Sequence, residues 1–158
     1  MSVRYTFDDE CRLGIHYQAL CDQDTVINLT NHSYFNLDGE DSESVEGQHL
    51  QIFADSFAEN DAGCLPTGRI VSLDSEEGAP FDFREPTEIG KRLHEENIHL
   101  KNGSGYDHNY LLKKQPDGLC ARAYSRSSGI LLECRTSEPG MQLYTGNFLS
   151  TSNTVGKG

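Results

Sequence analysis

No run of apolar residues approaches the length a helix needs to cross a bilayer, so no membrane span is predicted. The opening MSVRYTFDDE lacks an apolar core and a small-residue cleavage pattern, so no secretory leader is predicted either. Positive charge is scarce: 13 Lys and Arg stand against 25 Asp and Glu, for a formal charge of -12. That balance repels phosphate backbones at long range, and no basic run offers a local exception. Nucleic acid and anionic membrane are therefore excluded as expected partners. The five cysteines (Cys11, Cys21, Cys64, Cys120 and Cys134) form no CxxC pair and no compact metal cluster. Their odd number and wide spacing predict free thiols in a reducing cytoplasm. Also missing are an HExxH zinc motif, a phosphate-binding P-loop, a GxSxG elbow and a strand-followed GxGxxG. Long stretches with the apolar spacing of an amphipathic helix are absent too, which argues against a βαβ protein.

What is present has period two. Val3, Tyr5 and Phe7 share one face of a first strand, and Leu13, Ile15, Tyr17 and Ala19 share one face of a second. Thr25–Thr30 is rich in β-branched residues and predicts a third strand. Leu50–Ala54 predicts another, whereas Asp55–Gly68 reads as loop and Asp74–Gly90 as an acidic connection. Ile89–Leu93 is the one place where a short helix is predicted. Tyr106–Leu112, the hairpin Leu119–Tyr124 with Ile130–Thr136, and Met141–Tyr144 complete the strands. Only 35% of the residues are hydrophobic, which fits either a loop-rich domain or a core completed by further strands. Strands with long connections imply a sandwich or a large antiparallel sheet.

Three segments carry candidate chemistry. In Thr30–Leu37, His32 follows a predicted strand, and a histidine there can exchange a proton near neutrality. Asn31 and Asn36 are placed to orient it or to bond a polyol, while Tyr34 or Phe35 offers a ring to an apolar sugar face. The competing account is a histidine that satisfies backbone groups at a strand end. Asp107 and His108 follow Gly103-Ser104-Gly105, and Asp107 suits sugar hydroxyls as well as it suits a turn cap. His108 is either a second polar contact or a residue of the opposite strand face. In Glu138–Asn147, Gln142 and Tyr144 share a face that lines a pocket or meets solvent, and Glu138 is a weak base candidate at a turn. No metal ligand set is found.

Taken with Leu65–Gly68 and Pro80–Arg84, these segments occur in the order found in aldose 1-epimerases, the galactose mutarotase family. The sequence resembles that family along essentially all 158 residues. The resemblance implies an all-β antiparallel sandwich, the large galactose-mutarotase-like supersandwich, with residues 1–158 as one such domain without internal boundary. It implies an isomerase that interconverts the α and β anomers of free hexoses such as galactose or glucose, a step in carbohydrate metabolism that needs no cofactor. His32 matches the acid that protonates the ring oxygen, and Asp107 matches a carboxylate that holds sugar hydroxyls. Asn31 is carried as a further substrate contact, with Tyr34, Gln142 and Tyr144 lining the pocket.

The family is about twice this length. Its second sugar-contacting histidine and arginine would precede this segment, and its base lies in a Pro-Gly-Glu segment that the sequence does not contain. The chain is therefore expected to be a central-to-late portion truncated at both ends, with the fold present only in part and activity weak or lost. The polar stretch Ser150–Gly158 is expected to be either a tail or the site of such a cut. A noncatalytic carbohydrate-binding sandwich and an epimerase relative acting on hexose phosphates are the alternatives. The aldose preferred and the oligomeric state stay open.

Overall fold

The computed structural model describes residues 1–42 and 44–149. Ser150–Gly158 lies outside the described residues, and so does the expectation attached to it. The chain divides into two compact units, Met1–Phe35 and Asn36 onward.

The first unit is built on an antiparallel hairpin of β1 (Ser2–Phe7) and β2 (Leu13–Gln18). Its register sets Val3 opposite Tyr17, Tyr5 opposite Ile15 and Phe7 opposite Leu13, so the two predicted apolar faces become one ladder. The connection is tied by Asp8, whose Oδ1 accepts from the backbone N–H groups of Glu10 and Arg12, both at 3.0 Å. The Arg12 guanidinium, 2.8 Å away, helps hold the Asp8 carboxyl below its ordinary range. The strand predicted at Thr25–Thr30 does not form, and Val26 stands 99% exposed. β-Branched residues favour an extended backbone, but a strand exists only where a neighbour pairs its N–H and C=O groups.

The second unit contains β3 (His49–Ile52), β4 (Ala54–Asn60), β5 (Pro66–Ser72), β6 (Thr87–Glu88), α1 (Ile98–Gly103), β7 (Asp107–Leu112), β8 (Leu119–Tyr124), β9 (Leu131–Arg135) and β10 (Gly140–Tyr144). They form two antiparallel four-stranded sheets, in the orders β10-β7-β4-β5 and β6-β3-β8-β9. The chain steps between the sheets at Phe53, from β3 directly into β4. Asp55–Gly68, predicted as loop, is mostly the β4–β5 hairpin. Bulges at Ala54/Ser56 and Ala58/Asn60 break its period-two pattern, which is why its sequence does not read as a strand.

Both sheets turn apolar residues into one core: Leu50, Ile52 and Ala121 from one, Phe57, Val71 and Tyr110 from the other. The connection between β5 and β6 adds Phe81 and Phe83, which are 0% and 1% exposed. Phe57 stacks on Phe81 at 4.3 Å. Two buried tyrosines satisfy their hydroxyls on this connection: Tyr106 donates to the Pro80 carbonyl (2.8 Å) and Tyr110 to that of Phe81 (2.9 Å). An all-β antiparallel class matches the sequence expectation. The expectation that the sandwich is present only in part is corrected, because these strands close an apolar core around Phe57 and Phe81 from both sides.

Ile89–Lys91 forms only a 3-10 turn, and the α-helix lies later, at Ile98–Gly103. Asn97 caps that helix by accepting from the N–H groups of His99 (2.9 Å) and Leu100 (3.4 Å). Six residues are too few to display a helical period, so the sequence hid it.

His108 is fully buried, with its ring 4.6 Å from Phe81 and 5.2 Å from Phe57. Desolvation, reinforced by His99 at 6.4 Å, pushes it down to about 4 from 6.5. A depressed histidine folds neutral, so its contribution is complete above pH 6.5 and drains away as pH falls toward 4. At about 1.36 kcal/mol per unit, up to ~3 kcal/mol is at stake. Urea midpoints at several pH values should show a steeper acid loss for the native chain than for His108→Gln. Parallel curves would contradict this.

Candidate active site

β7 and β10 pair so that Asp107 faces Tyr144 and Asn109 faces Gln142 across the ladder. Alternation then puts all four on one face of the sheet, with His108 and Tyr110 turned to the core. The Gln142 Nε2 donates to Asp107 Oδ1 at 2.7 Å, a diagonal bond that fixes the carboxylate and leaves its second oxygen available as an acceptor. The Tyr144 hydroxyl accepts from the Phe148 N–H at 2.8 Å, and the two rings stack at 6.5 Å. Carboxylate, amides and an aromatic ring on one face make a surface suited to a polyol.

The start of β7 is held from several directions. Asn60 Nδ2 donates to the Asp107 carbonyl (2.8 Å), and the Asp107 N–H donates to His108 Nδ1 (3.0 Å). Asn147 Nδ2 donates to the carbonyls of Gly103 (2.8 Å) and Tyr106 (2.9 Å), with its Oδ1 receiving the Thr145 hydroxyl at 2.6 Å. Gly105 adopts φ +131°, and any Cβ there would fall 2.6 Å from Asn147 Oδ1. The glycine is needed on both counts. Gly140 plays a similar part, since a Cβ would lie 2.6 Å from Asn109 Oδ1.

In the first unit, His32 is exposed and its ring meets the edge of Tyr34 at 5.2 Å and 76°. Asn31 Oδ1 accepts from the Ser33 N–H at 3.0 Å, so its side chain shapes the local turn. Tyr34 is 54% exposed. Asn36, an alternative orienting group in the sequence, is engaged in the second unit: its Oδ1 accepts from Gln48 Nε2 at 2.8 Å, and its Nδ2 donates to the Ser42 carbonyl at 3.3 Å. Glu138 is exposed and bonds locally to Thr136 and Ser137.

The structure thus groups Asp107, Gln142 and Tyr144 in the second unit, and Asn31, His32 and Tyr34 in the first. Asn109 was missed as a site residue, although period-two counting from Asp107 would have placed it on the same face. Asn60 and Asn147 were also missed, and no local signal marks the carbonyls they brace, which lie more than forty residues away. Among the described residues no group of three or more His, Cys, Asp or Glu is placed to hold a metal ion.

The chain resembles known proteins in sequence and in fold. The family model described as Aldose 1-epimerase matches residues 1–157. The galactose mutarotase of Rattus norvegicus is 43% identical over 148 residues, covering 93% of this chain and 41% of its own length. The aldose 1-epimerase of Escherichia coli K12 is 37% identical over 157 residues, covering 98% of this chain and 44% of its own length. Among solved structures, a GalM/aldose epimerase homologue from C. elegans superposes with a TM-score of 0.79 at 34% identity, over 93% of this chain and 42% of that one. The chain therefore spans about two-fifths of the length of these relatives.

These matches correct two expectations. A central-to-late portion truncated at both ends is overturned by a family match that runs through residues 1–157. A fold present only in part is overturned by an antiparallel mutarotase-like fold over 93% of the chain. The truncation rested on family positions that these residues do not include, whereas the match is set by the residues that are here. With the family model matching residues 1–157 and a solved homologue alike in fold over 93% of the chain, the chain belongs to the aldose 1-epimerase family.

Proposed function

We propose that the chain interconverts the α and β anomers of a free hexose such as galactose or glucose by acid–base opening and closing of the pyranose ring. The supporting observation is an exposed imidazole, His32, within the Asn31–Leu37 segment that resembles the family's acid-bearing motif. His32 donates a proton to the ring oxygen as a base removes the proton of the C1 hydroxyl, and the C1–O5 bond breaks. The open aldehyde rotates about C1–C2 and recloses on its other face, with both protons returned. Asp107, steadied by Gln142, accepts hydrogen bonds from sugar hydroxyls. Asn31 is a further sugar contact, and Tyr34 and Tyr144 offer ring faces.

A reduced rate belongs to the proposal. The resemblance places the group that takes the C1 proton in a Pro-Gly-Glu segment, which these 158 residues do not contain. A cytoplasmic setting is also proposed, in keeping with five free thiols.

Polarimetry of freshly dissolved α-galactose tests this reading. The chain should speed the approach to the equilibrium rotation above the buffer rate. Calorimetry should show galactose binding that Asp107→Ala weakens by about 1.5–3 kcal/mol, roughly tenfold or more in Kd. No acceleration would contradict the enzyme, and binding without acceleration would favour a noncatalytic carbohydrate-binding role.

A further inference from the structure

The β8–β9 ladder carries an irregularity that sets two cysteines across from one another. Leu119 pairs with Arg135 and Ala121 with Cys134, leaving Cys120 as the extra residue of a bulge. In such a bulge two successive residues oppose one on the partner strand, here Cys120 and Ala121 against Cys134. The Cys120 Sγ donates to the Cys134 carbonyl at 3.3 Å and lies 3.9 Å from Met141 Sδ. The two thiols differ in access: Cys120 is 2% exposed, whereas Cys134 is exposed on β9, at the end of its sheet. None of this takes part in the sugar chemistry.

We propose that Cys120 and Cys134 form a peroxide-oxidisable dithiol, with Cys134 as the attacking sulfur and Cys120 as the resolving one, closing a reversible disulfide across the β8–β9 bulge. In the first step the Cys134 thiolate attacks hydrogen peroxide. The O–O bond breaks, an S–O bond forms, and the departing hydroxide takes a proton to leave as water; sulfur is oxidised by two electrons to the sulfenic acid. In the second, Cys120 attacks that sulfur, the S–O bond breaks, the S–S bond forms, and the thiol proton leaves with hydroxide as a second water. Electrostatics favour these roles. The neighbouring Cys120 side chain draws the Cys134 thiol down to about 7, while Cys134 and burial raise Cys120 and keep it protonated until it is needed. Cys11, Cys21 and Cys64 are free thiols outside this pair.

The test uses the reduced full chain, titrated with hydrogen peroxide at neutral pH, quenched with iodoacetamide and digested with trypsin without reductant. Cleavage after Lys114, Arg122, Arg126 and Arg135 yields Gln115–Arg122 and Ser127–Arg135, each holding one of the two cysteines. The expected product is these two peptides joined and lighter by two hydrogens than their sum. It should form before Cys11, Cys21 or Cys64 is modified and disappear on adding dithiothreitol. In Cys120→Ala, dimedone should instead trap a sulfenic acid on Cys134. Without peroxide, native Cys134 should react with iodoacetamide severalfold faster than Cys11 or Cys21. Oxidation of Cys11 or Cys21 without the joined peptides would overturn the proposal, as would Cys134 alkylation no faster than theirs.

Discussion

Replacing His32 by glutamine is expected to lower the mutarotation rate of α-galactose by about a hundredfold or more, toward the rate in buffer. General acid catalysis by a positioned side chain typically contributes ~10²–10⁴-fold, and the low end suits a chain without the Pro-Gly-Glu base. Glutamine keeps a side-chain hydrogen-bonding group but cannot pass a proton to the ring oxygen. The loss should therefore fall on kcat, with KM little changed, as when an interaction made only in the transition state is removed. Because the side chain is exposed, its replacement should leave the urea midpoint unmoved. Polarimetric progress curves over a range of galactose concentrations separate the two constants. An unchanged kcat would remove His32 from the mechanism, and a change confined to KM would make it a binding residue.

The second large effect lies in the core. Phe57→Ala is expected to cost about 3–5 kcal/mol, a large share of a domain's usual ~5–15 kcal/mol. Phe57 is fully buried and stacked on Phe81, and its ring also meets the edges of His99 at 5.4 Å and His108 at 5.2 Å. Removing it empties a space bounded by aromatic rings that the backbone holds in place. Tyr110 cannot move in without giving up its bond to the Phe81 carbonyl. β4 pairs with β7, so the damage reaches the strand that presents Asp107. Phe57→Leu, which refills much of the volume, should cost less. Urea denaturation measures both, and a loss below about 1 kcal/mol for the alanine variant would show that the core collapses around the gap.

Sequence made visible whatever depends on a local repeat. The hairpin of β1 and β2 was legible because Val3, Tyr5 and Phe7 alternate in step with Leu13, Ile15 and Tyr17. β7 to β10 were legible for the same reason. β4 was not, since two bulges interrupt its alternation, and Thr25–Thr30 looked like a strand only because side-chain preference says nothing about a pairing partner. At the site, Asp107, Gln142 and Tyr144 were found through motif and period, yet the bond that joins Gln142 to Asp107 depends on register across thirty-five residues. The bracing of β7 by Asn60 and Asn147 is longer-range still.

Anomer exchange by this chain is expected to need the His32 imidazole. Magnetisation-exchange NMR on galactose at equilibrium reads it directly, through cross-peaks between the α and β anomeric protons. Cross-peaks stronger than in buffer with the native chain, and falling to the buffer level with His32→Gln, are predicted. Cross-peaks no stronger than buffer with the native chain, or equal with both proteins, would contradict it.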